Sequence, residues 1–157
     1  MNKISVLFVC LGNICRSPAA EAIFISLLER KGLTDGFNVD SAGTGSWHIG
    51  KKADSRMRIA AERRDINILS KARQITSKDF EEFNYILAMD DSNIRNIQDL
   101  KNKSASTDYA SIKKIQDFRS VFNEQEVPDP YFDGNEGFDH VLDILEDSVS
   151  GFLESIS

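Results

Sequence analysis

A cysteine stands at position 10 and an arginine at position 16, joined by Leu11-Gly12-Asn13-Ile14-Cys15 and followed by Ser17. The nucleophilic form of a cysteine is the thiolate. It forms readily where a helix N-terminus and a cation lie close by, conditions that bring thiol pKa values to roughly 3.5–7.5. Arginine presents a planar fork that bonds two phosphate oxygens at once. Gly12 lets the backbone turn tightly and approach a ligand closely. Free backbone N–H groups and the helix dipole favour an anion wherever such a loop opens a helix. Leu11 to Ser17 therefore read as a cradle for one phosphate, with Cys10 as a nucleophile at its floor and Ser17 as a hydrogen-bond donor to the sulfur. The plainer alternative is an inert buried cysteine closing a strand; Arg16 and Ser17 weigh against it.

Such a cradle needs a strand before it and a helix after it, and the sequence supplies both. Ile4-Ser5-Val6-Leu7-Phe8-Val9-Cys10 is a nearly continuous apolar run with β-branched residues, the mark of a strand buried on both faces. Ser17-Pro18 reads as a helix start, with Ser17 as cap and Pro18 at the first helical position, and Gly32 as the stop. Phe37 to Ser41 reads as a second strand leading into the loop Ala42-Gly43-Thr44-Gly45-Ser46. Asp54 is placed to cap a helix through Met57, Ile59, Ala60 and Ala61. A short helix near Ser77 to Glu82, a third strand at Tyr85 to Met89 and a helix from Ser92 to Leu100 follow. Lys101 to Ala110 is polar and loop-like, and a fourth strand is expected around Lys113 to Phe118. Phe138, Val141, Leu142, Leu145, Val149, Phe152, Leu153 and Ile156 keep the spacing of a core-facing helical stripe. Alternating strands and helices imply one domain over residues 1–157, a doubly wound four-stranded parallel α/β sheet with helices on both faces. In such a sheet the loops after strands one, two and three converge outside the carboxyl ends, where ligands bind.

Bulk properties exclude several classes. With 157 residues, 41% hydrophobic and 28% charged, the chain can bury a core without staples. A net charge of −6 speaks against nucleic acid as a partner, since phosphate backbones demand clustered Lys and Arg. The apolar runs are strand-sized, so no membrane association is expected. The N-terminus lacks the features of a secretory signal, and a cytoplasmic location is the expectation. Cys10 and Cys15 are the only cysteines, too few for a disulfide framework and in no metal-like cluster, so neither a metal nor another cofactor is expected.

Val9-Cys10-Leu11-Gly12-Asn13-Ile14-Cys15-Arg16-Ser17-Pro18, with Ala20-Glu21-Ala22, resembles the signature of the low-molecular-weight protein tyrosine phosphatases. The resemblance extends through Val39-Asp40-Ser41-Ala42-Gly43-Thr44, Ala72-Arg73-Gln74, Ile86-Leu87-Ala88-Met89-Asp90 and Pro128-Asp129-Pro130-Tyr131, nearly the whole chain. It implies the phosphotyrosine protein phosphatase I-like fold and a metal-independent hydrolase acting on phosphotyrosine and aryl phosphates. Cys10 would carry a cysteinyl-phosphate, Arg16 would bind the phosphate, and Asp129 would serve as general acid and then base. The chemistry asks for such an acid, because a tyrosine oxygen leaves poorly unless protonated. By residue type alone Asp90 competes for that role; the resemblance favours Asp129 and leaves Asp90 a structural acceptor.

The resemblance further implies that Trp47, Tyr131 and Phe132 wall a slot for a phenyl ring, and that Asn13, Ser17 and Ser41 support the loop. Asn13 also suits a left-handed backbone. Cys15 would pair with an oxidised Cys10 and protect it. Ile14 is similar to the tyrosine-specific members, whereas related phosphoarginine enzymes carry Thr. The chain departs from the pattern at Ser70, where many relatives have a His that supports Asn13, and at Phe132, where Tyr is commoner. Partners implied are phosphotyrosine proteins as substrates and phosphate, vanadate or similar oxyanions as inhibitors, with the enzyme a monomer. Thiol-relay arsenate reduction shares the loop but needs a further cysteine pair. A non-enzymatic phosphotyrosine-binding module would keep the cradle without the acid.

Overall fold

The computed structural model of the protein describes residues 2–104, 110–131 and 133–157. Four parallel strands, β1 (Ile4–Cys10), β2 (Phe37–Gly43), β3 (Tyr85–Ala88) and β4 (Ser111–Lys114), form one sheet in the order β2-β1-β3-β4. Among the described residues five α-helices connect and flank them: α1 (Arg16–Lys31), α2 (Ser55–Glu62), α3 (Asp79–Glu82), α4 (Asp91–Lys103) and α5 (Asn135–Ser155).

β1 is central, and its side chains divide the core. Val6, Phe8 and Cys10 face a layer built from α1, α2 and α5, where Phe24, Met57, Phe138 and Phe152 are fully buried. Leu7 and Val9 face the other layer, with Ile97 from α4 and Phe80 from α3. Burial on both faces explains why β1 reads as an unbroken apolar run rather than an alternating one. Phe24 meets Phe8, Phe37 and Phe152 with ring centroids 5.4–5.8 Å apart, holding α1 and α5 against the strand ends.

Local signals set the borders. Gly32 closes α1 in the left-handed conformation (φ +69°), where a side chain is strained. Asp54 caps α2 by accepting from the Arg56 amide at 2.8 Å. Asp90 caps α4 by accepting from the Asn93 amide at 2.8 Å. Two expectations are corrected. α1 begins at Arg16 with Cys15 as its cap, so Ser17 lies inside the helix and its hydroxyl is free for the loop rather than spent on capping. β4 runs over Ser111–Lys114, and the chain then tightens into a 3-10 turn over Ile115–Phe118 that buries Ile115 and Gln116. Lys101–Lys103 extend α4 into the stretch read as a loop, whose residues 105–109 lie outside the described residues.

The order β2-β1-β3 makes the chain turn to opposite sides of β1, opening a crevice beyond the carboxyl ends of β1 and β3. Cys10 is the last residue of β1 and Met89-Asp90 follow β3, so the crevice lies where the sequence placed its chemistry.

Candidate active site

The loop between β1 and α1 bends around Asn13, whose φ of +57° is left-handed. That conformation is held from all sides. The Asn13 side-chain amide donates to Ser17 Oγ (2.8 Å) and Ser41 Oγ (3.0 Å), and its carbonyl accepts from the Arg73 amide (3.0 Å). Gly43 permits the closest approach: a Cβ there would stand 2.7 Å from the Leu11 carbonyl oxygen. The following amides, Thr44 and Gly45, donate to the carbonyls of Cys10 and Leu11, both at 2.9 Å. The loop's carbonyls are thus tied back. Among the described residues, no protein acceptor pairs with the amides of Leu11, Gly12, Ile14 or Cys15.

Cys10 Sγ accepts the Asn13 amide at 3.2 Å and lies 3.0 Å from Ser17 Oγ. The Asn13 side chain fills one acceptor site of that hydroxyl, which orients its proton toward the sulfur or the Ala42 carbonyl at 3.3 Å. Arg16 is buried. Its Nη1 donates to Asp90 Oδ2 (2.6 Å) and to the Val127 carbonyl (3.0 Å), and its Nη2 lies 3.8 Å from Asp129 Oδ2. Burial alone would lower the Arg16 pKa, but Cys10, Asp90 and Asp129 outweigh it and raise the value, so the cation is firmly charged. Asp90 is engaged by Arg16 through one oxygen and by the α4 cap through the other, as a positioning group would be. Asp129 is about half exposed, with Oδ1 accepting the Tyr131 amide at 3.1 Å.

These groups share one cavity of about 350 Å³, lined by Cys10, Leu11, Arg16, Trp47, Asp129 and Tyr131, with Ile14, Cys15 and His48 also on its wall. Trp47 is 67% and Tyr131 38% exposed, and the Arg56 guanidinium lies over the Tyr131 ring at 5.4 Å. Phe132 lies outside the described residues. Cys15 is buried beside the floor, and burial first, then Asp54, Cys10 and Asp129, push its thiol far up, so it stays protonated. Both cysteines are free thiols. Among the described residues no cluster of three His, Cys, Asp or Glu side chains is arranged to hold a metal ion, and no helix is long and apolar enough to cross a membrane.

Two supports escaped the sequence reading. Glu21 on α1 accepts from Ser41 Oγ at 2.5 Å and bonds Ser70, so Ser70 stands one step behind Ser41 rather than on Asn13 itself. Burial, helped by Asp40, raises the Glu21 carboxyl above its ordinary value against the hydrogen bonds of Ser41 and Ser70 and the charge of Arg73. His48 packs on Gly12, its Cδ2 3.0 Å from where a Cβ would be. Glu21 was visible only as part of Ala20-Glu21-Ala22, and nothing in its spacing gave its partner.

A thiol that accepts an N–H and lies 3.0 Å from a hydroxyl, beside a fixed guanidinium in one cavity, is an arrangement suited to holding an oxyanion against a cysteine. The comparisons narrow this to a family. Residues 5–157 match the family model for low molecular weight phosphotyrosine protein phosphatase. The enzyme of that name from Schizosaccharomyces pombe is 41% identical over 156 residues, covering 99% of this chain and 98% of its own. A protein tyrosine phosphatase from Entamoeba histolytica, solved as a product-state mimic, superposes with a TM-score of 0.90 at 42% identity, covering 98% of this chain and 96% of its own. A Drosophila arginine phosphatase superposes at 0.92 with 32% identity, covering 97% of both chains. The chain belongs to the low-molecular-weight phosphotyrosine protein phosphatase family.

Proposed function

We propose that the protein hydrolyses phosphotyrosine in proteins through a cysteinyl-phosphate on Cys10, with Asp129 as general acid and base. The observation that supports this most is the convergence of Cys10, Arg16 and Asp129 on one cavity. The phosphate of the substrate sits on the loop amides and the outer edge of the Arg16 fork. The phenyl ring lies between Trp47 and Tyr131. Cys10 Sγ attacks phosphorus in line while Asp129 gives its proton to the departing phenol oxygen. Asp129, now a carboxylate, takes a proton from water, which attacks the same phosphorus and releases inorganic phosphate and the Cys10 thiolate. The Asn13 amide and Ser17 hydroxyl stabilise the sulfur as it leaves. Loop amides and Arg16 carry the developing charge.

The slot depth selects the substrate. A serine phosphate is too short to reach Sγ past Leu11 and the aromatic rim, whereas a phenyl or an arginine side chain is long enough. Ile14 on the cavity wall favours the flat ring over a guanidinium, because it offers no hydroxyl to bond the N–H groups. Cys15, buried beside the floor, would condense with an oxidised Cys10 and release water once its own proton is lost, sparing Cys10 irreversible oxidation; its raised pKa makes that step slow, since the thiolate is the attacking species. The test is kcat/KM on peptides differing only in phosphotyrosine, phosphoserine or phosphoarginine. Phosphotyrosine should exceed the others by at least about 10²-fold; an equal or larger value for phosphoarginine overturns the assignment of substrate class.

A further inference from the structure

The chain is acidic overall, with a net charge of −6, yet residues 50–71 carry seven Lys or Arg against three acids. Part of this basic segment is folded into a cleft. Lys52 and Lys71 oppose each other directly across an antiparallel bridge, with the Ala72 amide donating to the Lys51 carbonyl at 2.8 Å beside them. Directly opposed side chains in such a pair share a face and lie close, and like charges there repel. Arg58 completes the group: its Nε donates to the Ala53 carbonyl at 3.0 Å, which fixes the guanidinium and leaves its outer N–H groups. Lys52, Arg58 and Lys71 line one cleft of about 180 Å³ together with Glu62, Asn67 and Ser70. Among the described residues none of the three cations has an ion-pair partner, and Glu62 is the single carboxylate on the wall.

We propose that this cleft is a second, non-catalytic oxyanion site that takes a carboxylate or phosphoryl group. An oxyanion bound there turns the Lys52–Lys71 repulsion into shared attraction and receives the Arg58 fork, with Asn67 as a neutral donor. Its oxygens come either from an acidic or phosphorylated side chain of the bound substrate or from free phosphate. The substrate is favoured by the path of the chain. His48 lies on the wall of the catalytic cavity and Lys52 follows four residues later, a span of at most about 14 Å. An extended peptide crosses that in about four residues. The substrate form of the proposal rests on the phosphotyrosine reading of the catalytic cavity; the cleft itself does not.

Two measurements separate these. With the Cys10 loop occupied by one equivalent of orthovanadate, inorganic phosphate is titrated at constant ionic strength while backbone amide shifts are followed. Saturable shifts are expected at Lys52, Arg58 and Lys71, and their loss in a Lys52→Gln/Lys71→Gln variant. No turnover is needed, so this reads the cleft even if the substrate assignment fails. The second measurement compares phosphotyrosine peptides carrying Glu or Gln three to five residues from the phosphotyrosine. The double variant should lose about three- to tenfold in kcat/KM on the Glu peptides, the size expected for two exposed ion pairs, with aryl phosphate turnover unchanged. Saturable phosphate shifts without peptide dependence assign the site to free phosphate. Linear, non-saturating shifts, or shifts that survive in the variant, overturn the proposal.

Discussion

Replacing Asp90 by Asn separates positioning from proton transfer more cleanly than any other single change. Asn keeps an oxygen for the Asn93 amide, so the α4 cap survives, but it puts a neutral amide against Arg16 Nη1. The Arg16 side chain is 4% exposed and that of Asp90 21%. Breaking a fully buried pair costs about 3–5 kcal/mol. Solvent reaching Asp90 reduces this to about 2–3 kcal/mol. At about 2–4 °C per kcal/mol for a chain of this size, Tm should fall by about 5–10 °C. Arg16 keeps the Val127 carbonyl and the longer contact to Asp129 as anchors, and a displacement on the order of 1 Å lowers kcat/KM by about 10–100-fold. The assay is thermal unfolding together with steady-state kinetics on aryl phosphates whose phenols differ in acidity. A positioning defect lowers every substrate by the same factor. A lost general acid instead spares good leaving groups and punishes poor ones, which is the pattern expected for Asp129→Ala, by about 10²–10⁴-fold on the poorest. A leaving-group-dependent defect in Asp90→Asn, or a Tm within 1–2 °C of the parent, about the scatter of the measurement, would refute the assignment of roles.

Further expectations follow from the supports behind the loop. Asn13→Ala strips hydrogen bonds from Ser17, Ser41 and the Arg73 amide and puts alanine at φ +57°, so stability should fall by about 2–5 kcal/mol in denaturant titration, with kcat falling more than KM rises. Gly43→Ala forces the Leu11 carbonyl away and should weaken vanadate inhibition at least about tenfold while leaving far-UV circular dichroism unchanged. For Glu21 the native carboxyl holds its proton to higher pH than the unfolded one, so wild-type stability declines as pH rises through that window. The Tm of Glu21→Gln relative to wild type should therefore climb as pH rises above the ordinary carboxylate range, and a flat difference would remove Glu21 from the buried network.

Much of the site was legible because its signals are local. β1 shows itself by apolar continuity, Gly32 and Asp54 by their end chemistry, and Asn13 by its tolerance of a left-handed backbone. What stayed hidden depends on contacts far apart in the chain. Arg16 is fixed by Asp90 and by the Val127 carbonyl, 74 and 111 residues away, and no spacing rule reports such pairs. Ser17 was misread as a cap because Ser-Pro is a common helix start, yet the helix begins two residues before Pro18 and the hydroxyl serves the sulfur. Concern over Ser70 eases for a related reason: Asn13 is satisfied by Ser17, Ser41 and Arg73, and Ser70 acts through Glu21. The fourth strand was placed too far along the chain, missing Ser111 and Ile112 and taking in the turn, because a buried 3-10 turn and a buried strand look alike over a few residues.

The central claim is the covalent intermediate on Cys10, and it can be tested by trapping. In Asp129→Ala the water-activating carboxylate is gone, so the phosphoenzyme should accumulate when the variant is mixed with the radiolabelled phosphate ester of an acidic phenol, which leaves without a general acid, and quenched in alkaline detergent, where the thiophosphate bond survives. Stoichiometric label on the peptide containing Cys10, absent from a Cys10→Ser/Asp129→Ala variant, is the expected result. Label that persists without the thiol, or full turnover by Cys10→Ser alone, would contradict it.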